Sequence, residues 1–405
     1  MKLLGLMSGT SLDGIDAALL EIEASDQSFE NVGPPILGPV DWELLAFRTR
    51  RFSSDERDAI RGTIVSGGAR EMALLHTRLG EWFASAALAL LEEENITPDS
   101  VSALGSHGQT IWHEPPQAEK RGSSLQLGCP ATLAERTGIG VVSDFRSRDL
   151  AAGGHGAPLV PWADQVFFSS SKGPRVIQNL GGMANVTWLP RATDPTPVLA
   201  FDTGPGVALL DAATELATGG EKTFDEGGEL AQRGEVVERL LERLLAHPFF
   251  RQAPPKSTGR ELFGPRMLDE VVGDMVREKG MDLVPGSALQ GWPDLLATLT
   301  ALTARSIGEA YRRWVLPRGA DEVFLMGGGS RNPVLFEAIR RELSPLDVRP
   351  GDPLGMDADA REAAAFALLA WAHLMGIPAN CPEATGSRGP RVLGSWTPGK
   401  KEVGI

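Results

Sequence analysis

Cysteine is nearly absent: Cys129 and Cys381 are the only two in 405 residues. No disulfide framework or cysteine-ligated zinc site can be assembled from them. Positive charge is also short. Against 53 Asp and Glu stand 39 Lys and Arg, a formal charge of −14. Nucleic acids and anionic membranes both select clustered Lys and Arg, so neither is an expected partner. Long apolar runs are missing too: the longest, 363–375, is too short to span a bilayer and includes His373. Met1-Lys2-Leu3-Leu4 runs straight into a glycine turn and leaves no room for the apolar region of a secretory leader, so a soluble protein of the reducing cytoplasm is expected. Neither G-x-x-x-x-G-K-[ST] nor G-x-G-x-x-G occurs, and Gly220-Glu221-Lys222-Thr223 is only a decoy. That disfavours P-loop and Rossmann nucleotide sites. What is present is ordinary globular composition, 42% apolar and 23% charged. The length suits two or three domains at about 150 residues each.

Along the chain, 3–7 reads as a short buried strand, Ser8–Gly14 as a polar turn and 15–22 as a second strand. Residues 28–39, rich in Pro and Gly, read as an extended loop between strands. Apolar residues at helical spacing (Met72, Leu75, Leu79, Phe83, Ala87) predict a helix over 69–94. A strand over 101–104 then runs into the turn Gly105-Ser106-His107-Gly108-Gln109-Thr110. The pattern recurs. Strands 175–180 and 185–189 flank Gly181-Gly182, and strand 198–201 opens into Asp202-Thr203-Gly204-Pro205-Gly206 with a helix after it. Further helices are expected over 236–245, 295–315, 332–343 and 359–375, with a strand over 322–326. Each half thus carries a hairpin with a Gly-rich tip and a later strand ending in a Gly-rich turn, the signature of an internal duplication.

Three places have chemistry to offer. In the tip Ser8–Gly14, successive amides and the hydroxyls of Thr10 and Ser11 could cradle phosphate, with Asp13 or Asp16 toward Mg²⁺. A tight hairpin needs the same small residues, so this loop alone decides nothing. Gly327-Gly328-Gly329, between a strand and a helix, lets a flat ring or a phosphate lie on bare backbone. A close turn without ligand is the equal alternative. Asp202, at the expected mouth of a buried strand, could take a proton from water or a hydroxyl, or could simply cap its own turn. His107, Arg146 and Glu362 are weaker signals. Arg146 and Arg148 could pair with Asp144 and Asp149, or one could clamp an anionic substrate group. Glu362 could merely complement a helix dipole.

Together these features describe an α/β protein of two duplicated actin-like (ribonuclease H-like) domains flanking an ATP cleft. The chain also resembles the anhydro-N-acetylmuramic acid kinases. The resemblance rests on Gly5-Leu6-Met7-Ser8-Gly9-Thr10-Ser11-Leu12-Asp13-Gly14, Gly105–Thr110, Ser143-Asp144-Phe145-Arg146 and Gly156-Ala157-Pro158-Leu159-Val160-Pro161. It continues through Phe201-Asp202-Thr203-Gly204-Pro205, Pro255-Lys256-Ser257-Thr258-Gly259-Arg260-Glu261, Gly327–Asn332 and Ala384-Thr385-Gly386. It implies an ATP-dependent enzyme that opens 1,6-anhydro-N-acetylmuramic acid with water and phosphorylates O6, in cell-wall recycling. Asp202 would be the general base, and ATP and Mg²⁺ the requirements. Gly9, Thr10, Ser11, Leu12, Asp13, Gly14, Ile15 and Asp16, with Gly181, Gly182, Gly204, Gly327, Gly328 and Gly329, would hold the nucleotide, Asp13 toward the metal. His107, Arg146 and Glu362 would contact the sugar, Arg146 at its lactyl carboxylate. A homodimer is implied as well.

The expected domains are 1–140, with the tail 378–405 returning to it, and 141–377. His155 and Val207 depart from the family pattern beside the expected site. Two other readings stay open: a sugar kinase that deprotonates a hydroxyl directly, and an actin- or chaperone-like ATPase without phosphoryl transfer.

Overall fold

Strand β1 (Lys2–Ser8) is almost wholly buried, and it pairs antiparallel with β2 (Gly14–Ala24), Leu4 opposite Leu19. β2 pairs in turn with β3 (Val40–Arg51). On its other side β1 runs parallel to β4 (Val101–Glu114), and β4 runs parallel to β6 (Val141–Ser143). β5 (Ser123–Leu127) pairs antiparallel with β4, and β12 (Ser395–Thr397) closes the far edge beside β6. The computed structural model describes residues 1–9, 12–24, 40–116, 120–280, 283–288, 291–351 and 354–400. The loop expected over 28–39 lies outside these residues.

A second sheet repeats the plan. β7 (Arg175–Leu180), β8 (Met183–Leu189) and β9 (Leu199–Pro205) form an antiparallel meander. β10 (Glu322–Met326) lies parallel to β7, and β11 (Asp347–Pro350) parallel to β10. The orders β3-β2-β1-β4-β6 and β9-β8-β7-β10-β11 are one topology used twice. That equivalence is the internal duplication expected of an actin-like α/β chain.

The chain divides into two compact units, Met1–Phe168 with Pro195–Val198 and Leu354–Ile405, and Ser169–Asp194 with Leu199–Pro353. The first unit therefore takes in 141–168 and 354–377, which the sequence reading gave to the second domain. Glycine is the reason. Gly5 and Gly105 are register partners on β1 and β4. A Cβ on Gly5 would come 1.8 Å from the Ala363 carbonyl oxygen, and one on Gly105 would come 2.0 Å from that of Phe366. The Ala-rich helix Arg361–Leu374 thus lies directly on the first sheet, nearly every side chain buried. β6 joins the same sheet through β4. A buried ion pair fixes the opposite side of that helix: Arg361 Nε donates to Asp164 Oδ1 at 2.7 Å, and its Nη2 donates to Oδ2.

Apolar residues at helical spacing fold as expected into the helix Ala69–Glu93, whose buried Leu75, Leu79, Phe83 and Leu90 back the first sheet. In the second unit the long helix Trp292–Ala310 is the central support, running on into a π-helical turn over Tyr311–Val315. Among the described residues no helix is long and apolar enough to cross a membrane.

Candidate active site

The first hairpin tip is pinned from three directions. The Ser8 hydroxyl lies 2.6 Å from Gln109 Oε1 and 2.9 Å from the Gly14 carbonyl. Gln109 Nε2 donates to the Gly9 carbonyl at 3.2 Å, and Phe52 N–H to the Asp13 carbonyl at 3.1 Å. Leu12 takes a left-handed φ of 60° and donates its amide to Gly9 at 3.3 Å. Leu12 and Ile15 bury their side chains in the core, so only their backbone is available to a nucleotide. Gly14 is required by packing, since its Cβ would stand 2.4 Å from the Arg50 carbonyl oxygen. Asp13 is exposed. Asp16 accepts from Thr49 Oγ1 at 2.6 Å. Burial pushes its carboxyl up to about 6 against that hydrogen bond, and Glu362, Asp359 and Asp13 add repulsion. Thr10 and Ser11 lie outside the described residues.

His107 and Arg146 form one assembly. The expected turn 105–110 is strand instead, because β4 continues to Glu114 with β5 as its partner. This puts His107 in the interior, 4% exposed. Its Nδ1 lies 2.9 Å from the Gly108 carbonyl, and its Nε2 faces Arg146 Nε at 3.1 Å and Nη2 at 2.7 Å. A carbonyl on one side and a guanidinium on the other select the neutral ring with its proton on Nδ1. Burial, reinforced by Arg146, holds the imidazole well below its ordinary range. Both ring nitrogens are thus engaged by protein groups, and Nε2 grips Arg146. Arg146 Nη1 donates to the Gly156 carbonyl at 2.6 Å. Of five guanidinium N–H donors, three are so used, and two have no partner among the described residues. Of the two readings open for Arg146, an ion pair with Asp144 or Asp149 is not seen among the described residues; Asp144 accepts from Ser147. Half-buried Glu362, in the first turn of its helix, has its proton affinity raised by burial against the pull of Arg361 and Arg146.

In the second unit the Gly181 and Gly182 carbonyls accept from the amides of Val207, Gly206 and Ala208. The hairpin tip is thereby tied to the start of the helix Ala208–Ala217. Gly204 is an internal packing position: φ is 151° and a Cβ would meet Phe250 at 2.7 Å. Gly327 has a φ of 79°, and a Cβ on Gly329 would meet the Leu180 carbonyl at 2.8 Å. A Cβ on Gly328 would meet nothing. Asn332 Oδ1 takes the amides of Val334 and Leu335 at 3.0 and 3.1 Å. The helix Pro333–Glu342 is therefore already capped, and the surface left for a ligand is the glycine backbone before it.

Asp202 lies inside β9 rather than at its mouth. Between its partners the register slips: Gly204 faces Ala184 and Asp202 faces Asn185, leaving Thr203 as a bulge. The Asp202 amide donates to the Lys256 carbonyl at 3.1 Å, and the Thr258 amide donates to Asp202 Oδ2 at 2.7 Å. Burial raises the carboxyl to about 7, opposed by the Thr258 hydrogen bond and the charge of Lys256. Lys256 is itself buried, its ammonium 4.4 Å from the Phe249 ring centroid and 3.2 Å from the Phe249 carbonyl. Burial lowers it to about 8, Arg313 adding to the effect. A carboxylate oriented by an amide and poised near neutrality is a competent general base.

The model of the family "Anhydro-N-acetylmuramic acid kinase" matches residues 1–399. The anhydro-N-acetylmuramic acid kinase of Gloeobacter violaceus is 43% identical over 397 residues, covering 97% of this chain and 98% of its own. That of Bacillus cereus is 37% identical over 403 residues, covering 98% and 99%. Among solved structures, the activator of the 2-hydroxyisocaproyl-CoA dehydratase from Clostridium difficile is 13% identical, with a TM-score of 0.42 over 91% of this chain and 94% of that one.

The chain belongs to the anhydro-N-acetylmuramic acid kinase family. Its members' name describes phosphotransfer to an anhydro sugar, and the geometry adds residues that this resemblance did not assign. Lys256 and Thr258 hold Asp202, and their signal was the run Pro255–Glu261. Gln109 steadies the first tip, and it was legible only within Gly105–Thr110.

Proposed function

We propose that this chain uses ATP and water to open 1,6-anhydro-N-acetylmuramic acid and phosphorylate its O6. The observation that carries the reading is Asp202, held beside a strand bulge by the Thr258 amide, its carboxyl raised to about 7 by burial. Its carboxylate takes a proton from water as the water oxygen bonds to C1. The C1–O6 bond breaks, and O6 bonds to the γ-phosphorus as the link to ADP is released. Capture by the phosphoryl group removes the need for the second carboxyl group that inverting glycosidases use as an acid. Arg146, with two donors spare, suits the planar lactyl carboxylate.

Asp13 is an exposed oxygen donor, and it, Glu362 and Asp359 all repel the Asp16 carboxylate, whose proton affinity burial raises first. That donor set fits Mg²⁺, which prefers one or two carboxylates together with phosphate oxygens. Asp13 would hold it, directly or through water, and the ion would neutralise phosphate charge. The Gly9–Asp16 tip, Gly181-Gly182 and Gly327–Gly329 serve the nucleotide. The same reading has the enzyme working as a cytoplasmic homodimer.

The test is the Asp202→Asn variant. The account expects nucleotide binding to stay within about twofold and turnover to fall by roughly 10³ or more, the scale of losing a general base with its orienting contacts. Turnover near the parent value would remove Asp202 from the base role. A variant that hydrolyses ATP normally while forming no phosphosugar would favour an actin-like ATPase instead.

A further inference from the structure

We propose that Asp149, fixed by Asn380 and Thr385 from the C-terminal tail, is a positioning residue that sets the Arg146 guanidinium for an anionic substrate group. Asp149 is fully buried, in the short helix Ser147–Ala151 that begins directly after Arg146. Its Oδ1 accepts from Asn380 Nδ2 at 2.7 Å and Thr385 Oγ1 at 2.8 Å, while Oδ2 accepts the Gly156 amide at 2.8 Å. The Gly156 carbonyl in turn accepts from Arg146 Nη1 at 2.6 Å. One residue thus passes the constraint on, its amide held by the buried carboxylate and its oxygen holding the arginine.

The tail is built to deliver these two donors. Asn380 Oδ1 accepts the Arg391 amide at 2.6 Å, which fixes the side-chain amide so that its NH₂ faces Asp149. The Ala379 amide closes the same loop on the Arg391 carbonyl at 3.0 Å. Two further bonds tie the tail to the loop it supports: His155 N–H to the Thr385 carbonyl at 2.7 Å, and Arg388 N–H to the Ala152 carbonyl at 2.9 Å. Gly154 leaves no room for error, because a Cβ there would stand 2.2 Å from Asp149 Oδ2. The conjunction assigns a task to Ala384-Thr385-Gly386, a segment far in sequence from Arg146 and Asp149. With His107 gripping one edge of the guanidinium and Gly156 the other, the two spare N–H groups are held in one orientation. A planar carboxylate needs that pre-organisation for paired hydrogen bonds.

The inference rests on the reading that Arg146 receives the carboxylate of the sugar, and the experiment separates the two. Steady-state constants would be measured for the anhydro-muramic sugar, for its 1,6-anhydro-N-acetylglucosamine analogue without the carboxylate, and for ATP. Thr385→Val removes one donor at constant shape. It should raise KM for the muramic sugar about tenfold, leaving kcat, the ATP KM and the analogue within about twofold, and Thr385→Ser should restore the parent value. In an Arg146→Ala background Thr385→Val should add nothing. If Arg146→Ala still distinguishes the two sugars as the parent does, the reading of Arg146 fails. If Arg146→Ala loses that distinction while Thr385→Val keeps it, the proposal for the tail is overturned. Equal losses on both sugars and ATP in Thr385→Val would make Asp149 merely structural and overturn it as well.

Discussion

Asp202 and Lys256 influence each other electrostatically in a way that residue type alone does not announce. Nothing in Phe201-Asp202-Thr203 announces a bulge, and the reading by residue type put Asp202 at a strand mouth. Asp202 sits mid-strand because β8 goes on pairing with β9 as far as Pro205, past a register slip between Ala184 and Asn185. Lys256 was legible only as one residue of a family motif, because its burial against Phe249 depends on packing that a local window does not contain. The pair carries a pH prediction. The Lys256 cation favours the charged form of Asp202 and so lowers its proton affinity against the larger effect of burial. Activity should therefore rise with pH through about 7 as Asp202 ionises. In Lys256→Met the opposing charge is gone, Asp202 holds its proton to higher pH, and the acid limb of kcat/KM should move upward, by about one pH unit for a partly screened neighbour. A downward move or none, in a variant that still folds, would contradict this coupling.

At the scale of elements, most of the framework was open to inspection. The hairpins on either side of Ser8–Gly14 and Gly181-Gly182, the helix Ala69–Glu93 and the strand before Gly327 all follow from alternation, helical spacing and glycine placement. Two strands ran longer than composition suggested. Gly105–Thr110 has the polar, small residues of a turn, yet β5 supplies the ladder partner that keeps it extended, and β8 does the same for Asp202–Pro205. Pairing partners of that kind are non-local and leave no trace in a short window. The Gly5 and Gly105 positions turn this into a measurement. Gly105→Ala drives a methyl group into the Phe366 carbonyl, so the helix Arg361–Leu374 must lift from the sheet. A loss of about 3 kcal/mol is expected from denaturant midpoints. Gly62→Ala, in the exposed helix Ser54–Ser66 with nothing near its Cβ, should gain about 0.5–1 kcal/mol instead. Equal effects from the two would refute the packing account.

For the molecule as a whole, duplication was legible and the boundary between units was not. Repeated tips and repeated strand-to-glycine transitions announce two related sheets, and the strand orders agree. Composition does not mark where the chain leaves one unit, because no linker of distinctive character exists. The helix Arg361–Leu374 returns to the first sheet by virtue of two glycines more than 250 residues away in sequence. This return brings Glu362, in the helix's first turn, within electrostatic reach of Arg146 in the same unit. It also brings the tail onto Asp149. Asp202 lies in the second unit.

The most direct test follows oxygen from solvent. The enzyme would be run with ATP, Mg²⁺ and the anhydro sugar in H₂¹⁸O, quenched early, and its product fragmented in a mass spectrometer. The account predicts one ¹⁸O at C1, none in the phosphate, and the phosphate on O6. An unlabelled C1 in a phosphorylated product would show that no water is primed by Asp202 and would contradict the mechanism.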